Sequence, residues 1–403
     1  MKATQYFSAL ILFLLSVSAA FGQDLVLKSV SSHALDVDHE VMFIKALESI
    51  RNNDLADAIN QLESLVSINP KFKLAQLVYA DLLLARSGPI SDFGNLSYAP
   101  YENIVALRDE AKARWQHHQS SINEERIPAS LVKLDDHQEF AIMVDLDEPR
   151  LYLFRNEHGM PRLVKDFYAS IGKNGFGKYL EGDQKTPVGV YFASGFIEPA
   201  ELPDLYGNGA FPINYPNAWD RKNGYTGYGI WLHGTPSSTY SRPPRDSDGC
   251  VIVSNEDLNT LAKYIEAGKT PVILAKDIDW ITTEEWQSRQ KNFFSFVEQW
   301  RLDWESLDTD SYLRHYSRDY SGLGNDYDSW VEYKHRVNSN KSFIKVDLSE
   351  TSIFHYPDGM NILVITFSQD YESDNVKRRF KKRQYWKRED DGSWRIFYEG
   401  SVS

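Results

Sequence analysis

The hydrophobic period of this chain changes partway along it, and that change most restricts the architectures open to it. Between about residues 40 and 118, apolar side chains recur every three or four positions: Leu55, Ile59, Leu62 and Val66, then Leu74, Val78 and Leu82. Such spacing lines one face of an α-helix. From Glu139 the repeat shortens to two, and "FAIMVDLDEPRLYLF" reads as a strand, a turn and a second strand. With 403 residues, the chain can bury two or three separate cores. The expected fold class is multidomain α+β: an N-terminal helical region, a mainly-β middle domain and an α+β C-terminal domain.

The expected boundaries are a leader at 1–22, helices over 23–130, the mainly-β domain at 138–276 and the last domain at 284–403. Asn52-Asn53-Asp54 and Asn69-Pro70 mark turns between helices, and a further helix is expected from about Glu102 to His118. The β domain gains short strands from "YASIG", "GVYFASG" and "YGIWLHG" and closes on "TPVILA". It should carry a helix from Asn255 to Ala267, capped by Ser254. In the last region Phe293, Val297 and Trp300 share a helical face, and strand-like runs follow, with hairpin turns at Asp358-Gly359 and Asp391-Gly392. The helical stretch resembles one tetratricopeptide-type repeat, too few for a solenoid, so it is expected to pack on its neighbours or to mediate self-association. The helix followed by an aromatic-rich antiparallel sheet resembles the nuclear-transport-factor-2-like fold.

Met1-Lys2, an apolar run from Phe7 to Phe21 and the small residues Ala20 and Gly22 read as a secretory signal peptide, too short to span a membrane convincingly. The expected location is the periplasm or cell envelope, in soluble form. The chain holds one cysteine, Cys250, which cannot form a disulfide within its own chain. A lone cysteine is commonly a small buried hydrophobe. Its neighbours argue otherwise.

The segment "WLHGTPSSTYSRPPRDSDGCVIVSNEDL" puts His233 at a strand end and Cys250 just before "VIV". A thiol is a weak nucleophile until an imidazole removes its proton. Gly249 permits a tight turn that presents the thiol, and the N–H groups of Gly249 and Cys250 are candidates for holding an oxyanion. "HGT" followed by "SDGCV", with "VDLDEPRLYLF" at 144–154 and "GDQKTPVG" at 182–189 upstream, resembles the L,D-transpeptidase catalytic-domain family, also called YkuD. That resemblance implies Cys250 as nucleophile, His233 as general base oriented by a backbone carbonyl, Ser247 and Gly249 as loop-shaping residues, and Gly234 and Thr235 framing the pocket. Two positions depart from the family: Asp248 where many members have His, and Ile252 where many have Arg. Arg242 and Arg245 are candidates to replace that cation toward a substrate carboxylate. Asp248 beside the thiol should raise its pKa. Lys173 and Lys185 are read as shaping the domain.

A formal net charge of −13 argues against general nucleic-acid binding. No phosphate-binding glycine loop supports a nucleotide, and His117-His118 is a helical pair pointing to different faces with no zinc-ligand spacing, so no cofactor or metal is expected; His137 and His158 lie outside the catalytic segment and suggest no alternative triad. The basic run Lys377 to Arg388, interleaved with Phe380, Tyr385 and Trp386, reads as the solvated face of a strand before it reads as a contact for anionic wall polymers. The resemblance implies a partner, the peptidoglycan stem peptide, and a reaction. The Cys250 thiolate attacks between the third residue and the terminal D-alanine, leaving a thioester. Transfer to an amine makes a cross-link; transfer to water makes the chain an L,D-carboxypeptidase. The domain order resembles the L,D-carboxypeptidases that set cell shape in helical bacteria, while the catalytic motifs put transpeptidation first. A wall-binding scaffold that has lost catalysis is the third reading.

Overall fold

The computed structural model describes residues 38–88, 94, 101–120 and 125–402. The signal peptide expected at 1–22 lies outside them. Among the described residues no helix is long and apolar enough to cross a membrane. The chain divides into two compact units at Asn69 and Pro70.

The first unit holds α1 (His39–Arg51) and α2 (Leu55–Ile68). Asp38 caps α1 by accepting from the Glu40 and Val41 N–H groups, and Asp54 caps α2 through the Asp57 N–H. Phe43, Ala46, Ala58, Leu62 and Leu65 are fully buried, as the helical spacing predicts. The division at 69/70 falls inside the stretch resembling one repeat, because its third helix, α3 (Lys73–Ala85), belongs to the second unit.

In the second unit α3 is followed by α4 (Tyr101–Ser120) and by strands β1 (Phe140–Asp145), β2 (Arg150–Glu157), β3 (Met160–Tyr168), β4 (Gly189–Phe192), β5 (Ala210–Pro212), β6 (Trp231–His233), β7 (Val251–Ile252) and β8 (Pro271–Ala275). One sheet has the order β3-β2-β1-β8-β4 and a second the order β7-β6-β5. The apolar run in β1 is explained by burial on both faces. Ile142 and Val144 enter a core shared with Leu151, Leu232, Val251 and Leu258. Ala141 and Met143 enter another, with Tyr152, Phe154, Val190 and Ile273.

That second core is closed by the C-terminal domain through Phe354, Tyr356, Val364, Tyr385 and Phe397. The helix after Ser254, α5 (Asn255–Leu261), is shorter than expected. Leu258 and Leu261 face the core, and Tyr264 and Ile265 then reach that core from a turn.

The C-terminal domain comprises α6 (Thr283–Glu305), α7 (Tyr327–Asn338) and strands β9 (Ile344–His355), β10 (Ile362–Ser373), β11 (Val376–Arg388) and β12 (Trp394–Ser401). Thr282 and Glu285 form a capping box that starts α6. Gly359 and Gly392 adopt the positive φ that their hairpin turns demand. The sheet runs β12-β11-β10-β9, continues beyond β12 with Tyr316–Gly322 and Asn325–Asp326, and is extended at β9 by Leu131–Lys133, a strand that precedes the catalytic-type domain in sequence. The basic run is partly neutralised. Lys382 forms a buried ion pair with Glu399 at 2.7 Å, Arg379 pairs with Glu350 at 2.9 Å, and Arg383 lies 4.3 Å from the Phe192 ring centroid.

Candidate active site

Strands β6 and β7 run parallel, with Leu232 beside Val251 and His233 beside Ile252. Leu232 and Val251 face the core, so His233 and Ile252 share the opposite face. Cys250 immediately precedes β7, two residues before Ile252. Strand spacing sets its Cα about 8 Å from that of His233, a diagonal that two side chains can span.

Cys250 is half-buried, and its thiol lies 3.4 Å from the Gly229 carbonyl. Burial pushes it up to about 11, and Asp248 pushes the same way, against the Trp231 backbone, Arg242 and Lys178. His233 is 3% exposed. Its Nδ1 lies 2.7 Å from the Gly234 carbonyl. A carbonyl only accepts, so Nδ1 carries the proton and Nε2 keeps the lone pair of a base. Burial brings His233 down to about 4, with Arg242 acting in the same direction and the Gly234 bond opposing. The Tyr206 ring packs against the imidazole at 4.9 Å between centroids. The resting thiol and imidazole are thus both neutral.

The loop between the strands is held at several points. The Ser247 hydroxyl donates to the Cys250 carbonyl at 2.7 Å and accepts from the Gly249 N–H at 3.0 Å. The Gly249 N–H is therefore engaged, and of the two oxyanion donors named from sequence Cys250 N–H is the one left. Gly249 has φ +125, and a Cβ there would sit 2.7 Å from the Lys185 carbonyl. Thr235 Oγ1 lies 2.9 Å from the Thr239 carbonyl and closes the next turn. Asn255 was missed by sequence reasoning. Its amide donates to the Thr235 carbonyl at 2.8 Å and its oxygen accepts from Asn208 N–H at 2.9 Å. A Cβ at Gly234 or Gly207 would lie 2.1 Å from that oxygen.

Helix α4 supports the loop from outside. Ser241 donates to Glu110 at 2.6 Å, the Arg114 guanidinium lies 3.8 Å from the Tyr168 ring centroid, and the Tyr168 hydroxyl donates to the Arg242 carbonyl at 3.0 Å. His117 on the same helix meets Asp166 at 3.1 Å.

The two arginines named from sequence part company. Arg242 acts electrostatically on both Cys250 and His233, but its guanidinium is held by Asp246 at 2.7 Å. Arg245 is exposed and lines a cleft with Asp109 and Lys112 of α4, whose walls include neither Cys250 nor His233. Ile252 is 2% exposed, so its position has no room for a solvated guanidinium. Lys178, another residue not foreseen, is 4% exposed and paired with Asp183 at 2.8 Å. Asp183 also accepts from the Tyr179, Leu180 and Lys185 N–H groups, and the buried Thr186 hydroxyl accepts from Gly172 N–H at 3.0 Å. "GDQKTPVG" is thus the clamp that carries Lys185 past Gly249. Asp248 is taken up by Lys173 at 3.2 Å and Gln184 at 3.0 Å. Among the described residues no cluster of three His, Cys, Asp or Glu side chains could hold a metal.

The L,D-transpeptidase catalytic-domain model, YkuD, matches residues 139–274, and the Cds6 C-terminal NTF2-like domain model matches residues 292–400. A search of curated proteins returned no match. Among solved structures, Bd1075 of Bdellovibrio bacteriovorus is 31% identical with a TM-score of 0.61, over 69% of this chain and 99% of that one. Pgp2 of Campylobacter jejuni, described as a helical cell shape determining protein, is 26% identical with a TM-score of 0.58, over 70% of this chain and 98% of that one. With both domains matched in order and a relative of this identity spanned nearly end to end, the chain belongs to the L,D-transpeptidase (YkuD) family, in the form that carries a C-terminal NTF2-like domain.

Proposed function

We propose that this chain is a peptidoglycan-trimming cysteine enzyme of the cell envelope, an L,D-carboxypeptidase that shortens tetrapeptide stems to tripeptides. The observation that supports the reading is the pairing of His233 with Ile252, two residues beyond Cys250, with the imidazole fixed as an Nε2 base by the Gly234 carbonyl. As Sγ bonds to the carbonyl carbon of the third stem residue, its proton passes to His233 Nε2. The tetrahedral oxyanion faces the Cys250 N–H. Collapse breaks the C–N bond, and His233 returns the proton to the departing amine of D-alanine. Water, deprotonated by the same nitrogen, then resolves the thioester. Proton transfer coincident with attack suits a thiol at about 11 and an imidazole at about 4, since neither group is charged beforehand.

The motifs alone put transfer to an amine first. Similarity along almost the whole length of a cell shape determining protein moves water ahead as acceptor. Purified protein incubated with a disaccharide tetrapeptide should release free D-alanine and leave the tripeptide, with both products absent from Cys250→Ala. New cross-linked dimers as the main product would return the reading to transpeptidase. Failure of a carbapenem to add its mass to Cys250 would leave only a wall-binding scaffold.

A further inference from the structure

A cleft of about 500 Å³ opens where the catalytic-type domain meets the C-terminal domain. Lys178, Lys185 and Lys276 line it from the first, and Tyr356, Asp358 and Met360 from the second. Two of its lining residues, Lys178 and Lys185, also neighbour the Gly249-Cys250 turn. The charge of Lys178 acts on Cys250, and the Lys185 carbonyl abuts Gly249 closely enough to forbid a Cβ there.

The three lysines differ in what answers their charge. Lys178 is neutralised by Asp183. Lys185 and Lys276 have no carboxylate within ion-pair distance among the described residues, in a chain whose formal net charge is −13. On the facing wall burial pushes the Asp358 carboxyl up, so the Lys185 and Lys276 charges are left to an incoming anion. The substrate, for its part, is short of a cation: the position where many family members carry Arg is the buried Ile252, and Arg242 is held by Asp246. On the facing wall Met360 is 43% exposed, an apolar side chain with no core to join.

Resting on the substrate named above, we infer that this cleft is the subsite for a free carboxylate of the stem peptide, held by Lys185 and Lys276, with Met360 of the C-terminal domain against the aliphatic part of the same ligand. The C-terminal domain then forms half of the substrate's seat.

Binding of a disaccharide tetrapeptide to the full chain carrying Cys250→Ala, measured by titration calorimetry, tests this separately from turnover. Lys276→Glu should weaken binding about tenfold, and Met360→Trp, which fills the cleft from the C-terminal side, should do the same. Converting the ligand's carboxylates to amides one at a time should identify one amide that weakens binding about tenfold here and has no further effect in Lys276→Glu. Near-ultraviolet circular dichroism checks that each variant is folded. The inference is overturned if the ligand does not bind, if every amide binds like the acid, or if Lys276→Glu changes the dissociation constant less than twofold. A chain that binds in the expected pattern yet releases no D-alanine overturns the proposed reaction and leaves the subsite standing.

Discussion

Raising pH titrates the Cys250 thiol, and the site geometry sets where that happens. An ordinary cysteine ionises near about 8.5. Burial and Asp248 hold Cys250 at about 11. At pH 8 the thiolate fraction then drops from roughly one in four to roughly one in a thousand, about two-hundredfold. The more basic thiolate is the better nucleophile, which restores roughly tenfold. Iodoacetamide should therefore alkylate Cys250 about twentyfold more slowly than a model cysteine peptide at pH 8, with the rate still climbing above pH 9. Mass spectrometry of aliquots across pH 5 to 10 reads this directly. His233, neutral above about 4, contributes no cation to the resting thiol. His233→Ala should leave alkylation within about twofold, yet slow carbapenem acylation by about 10² to 10⁴, the span of general-base catalysis. A plateau of alkylation near pH 6 that disappears in His233→Ala would mean a standing thiolate–imidazolium pair, and the neutral-pair reasoning would fail.

Gly249→Ala forces a side chain into positive φ and against the Lys185 carbonyl, so thermal melts should show about 1–3 kcal/mol of destabilisation together with loss of acylation. Phe354→Ala empties the fully buried core between the domains and should cost about 3–5 kcal/mol in urea titrations, moving one cooperative transition rather than splitting it. Glu399→Gln leaves Lys382 buried without its carboxylate and should cost about 3–5 kcal/mol in the same assay. His233 binds its proton far less readily folded than unfolded, so its share of stability is present above about pH 6.5 and is lost as pH falls toward about 4. Burial raises Asp145 and Asp220 to about 6, which opposes that slope. The check is therefore the wild-type minus His233→Asn difference, expected to shrink by about 3 kcal/mol across that window.

The strands were legible because β1 and β2 are short apolar runs split by the turn at 146–149, but their burial on both faces replaces the expected two-residue repeat. Cys250 and His233 stood out through local motifs. What could not be read were the supports contributed from far along the chain. Asn255 acts on a carbonyl twenty residues upstream, and Glu110 reaches Ser241 across 131 positions. Lys178 looked like any loop lysine, because nothing local says that Gly227 packs against its side chain. The helix after Ser254 was drawn too long for a related reason: Tyr264 and Ile265 satisfy helical spacing, but the core accepts them from a turn. Arg245 lines a cleft with Asp109 and Lys112 of α4, a helix far upstream that no local motif ties to it.

Leu131–Lys133 joins the C-terminal sheet before the catalytic-type domain has begun, and β12 completes that sheet at the far end of the chain. A ribosome must therefore deliver nearly every residue before the apolar back of β1, β2, β4 and β8 is covered. Cutting after Ala275 would strand Met143, Tyr152, Phe154, Val190 and Phe192 in water, a patch that invites aggregation. The catalytic-type domain is thus unfit for life as a separate module, and a lineage that lost the last domain would have had to rebuild that face with polar residues.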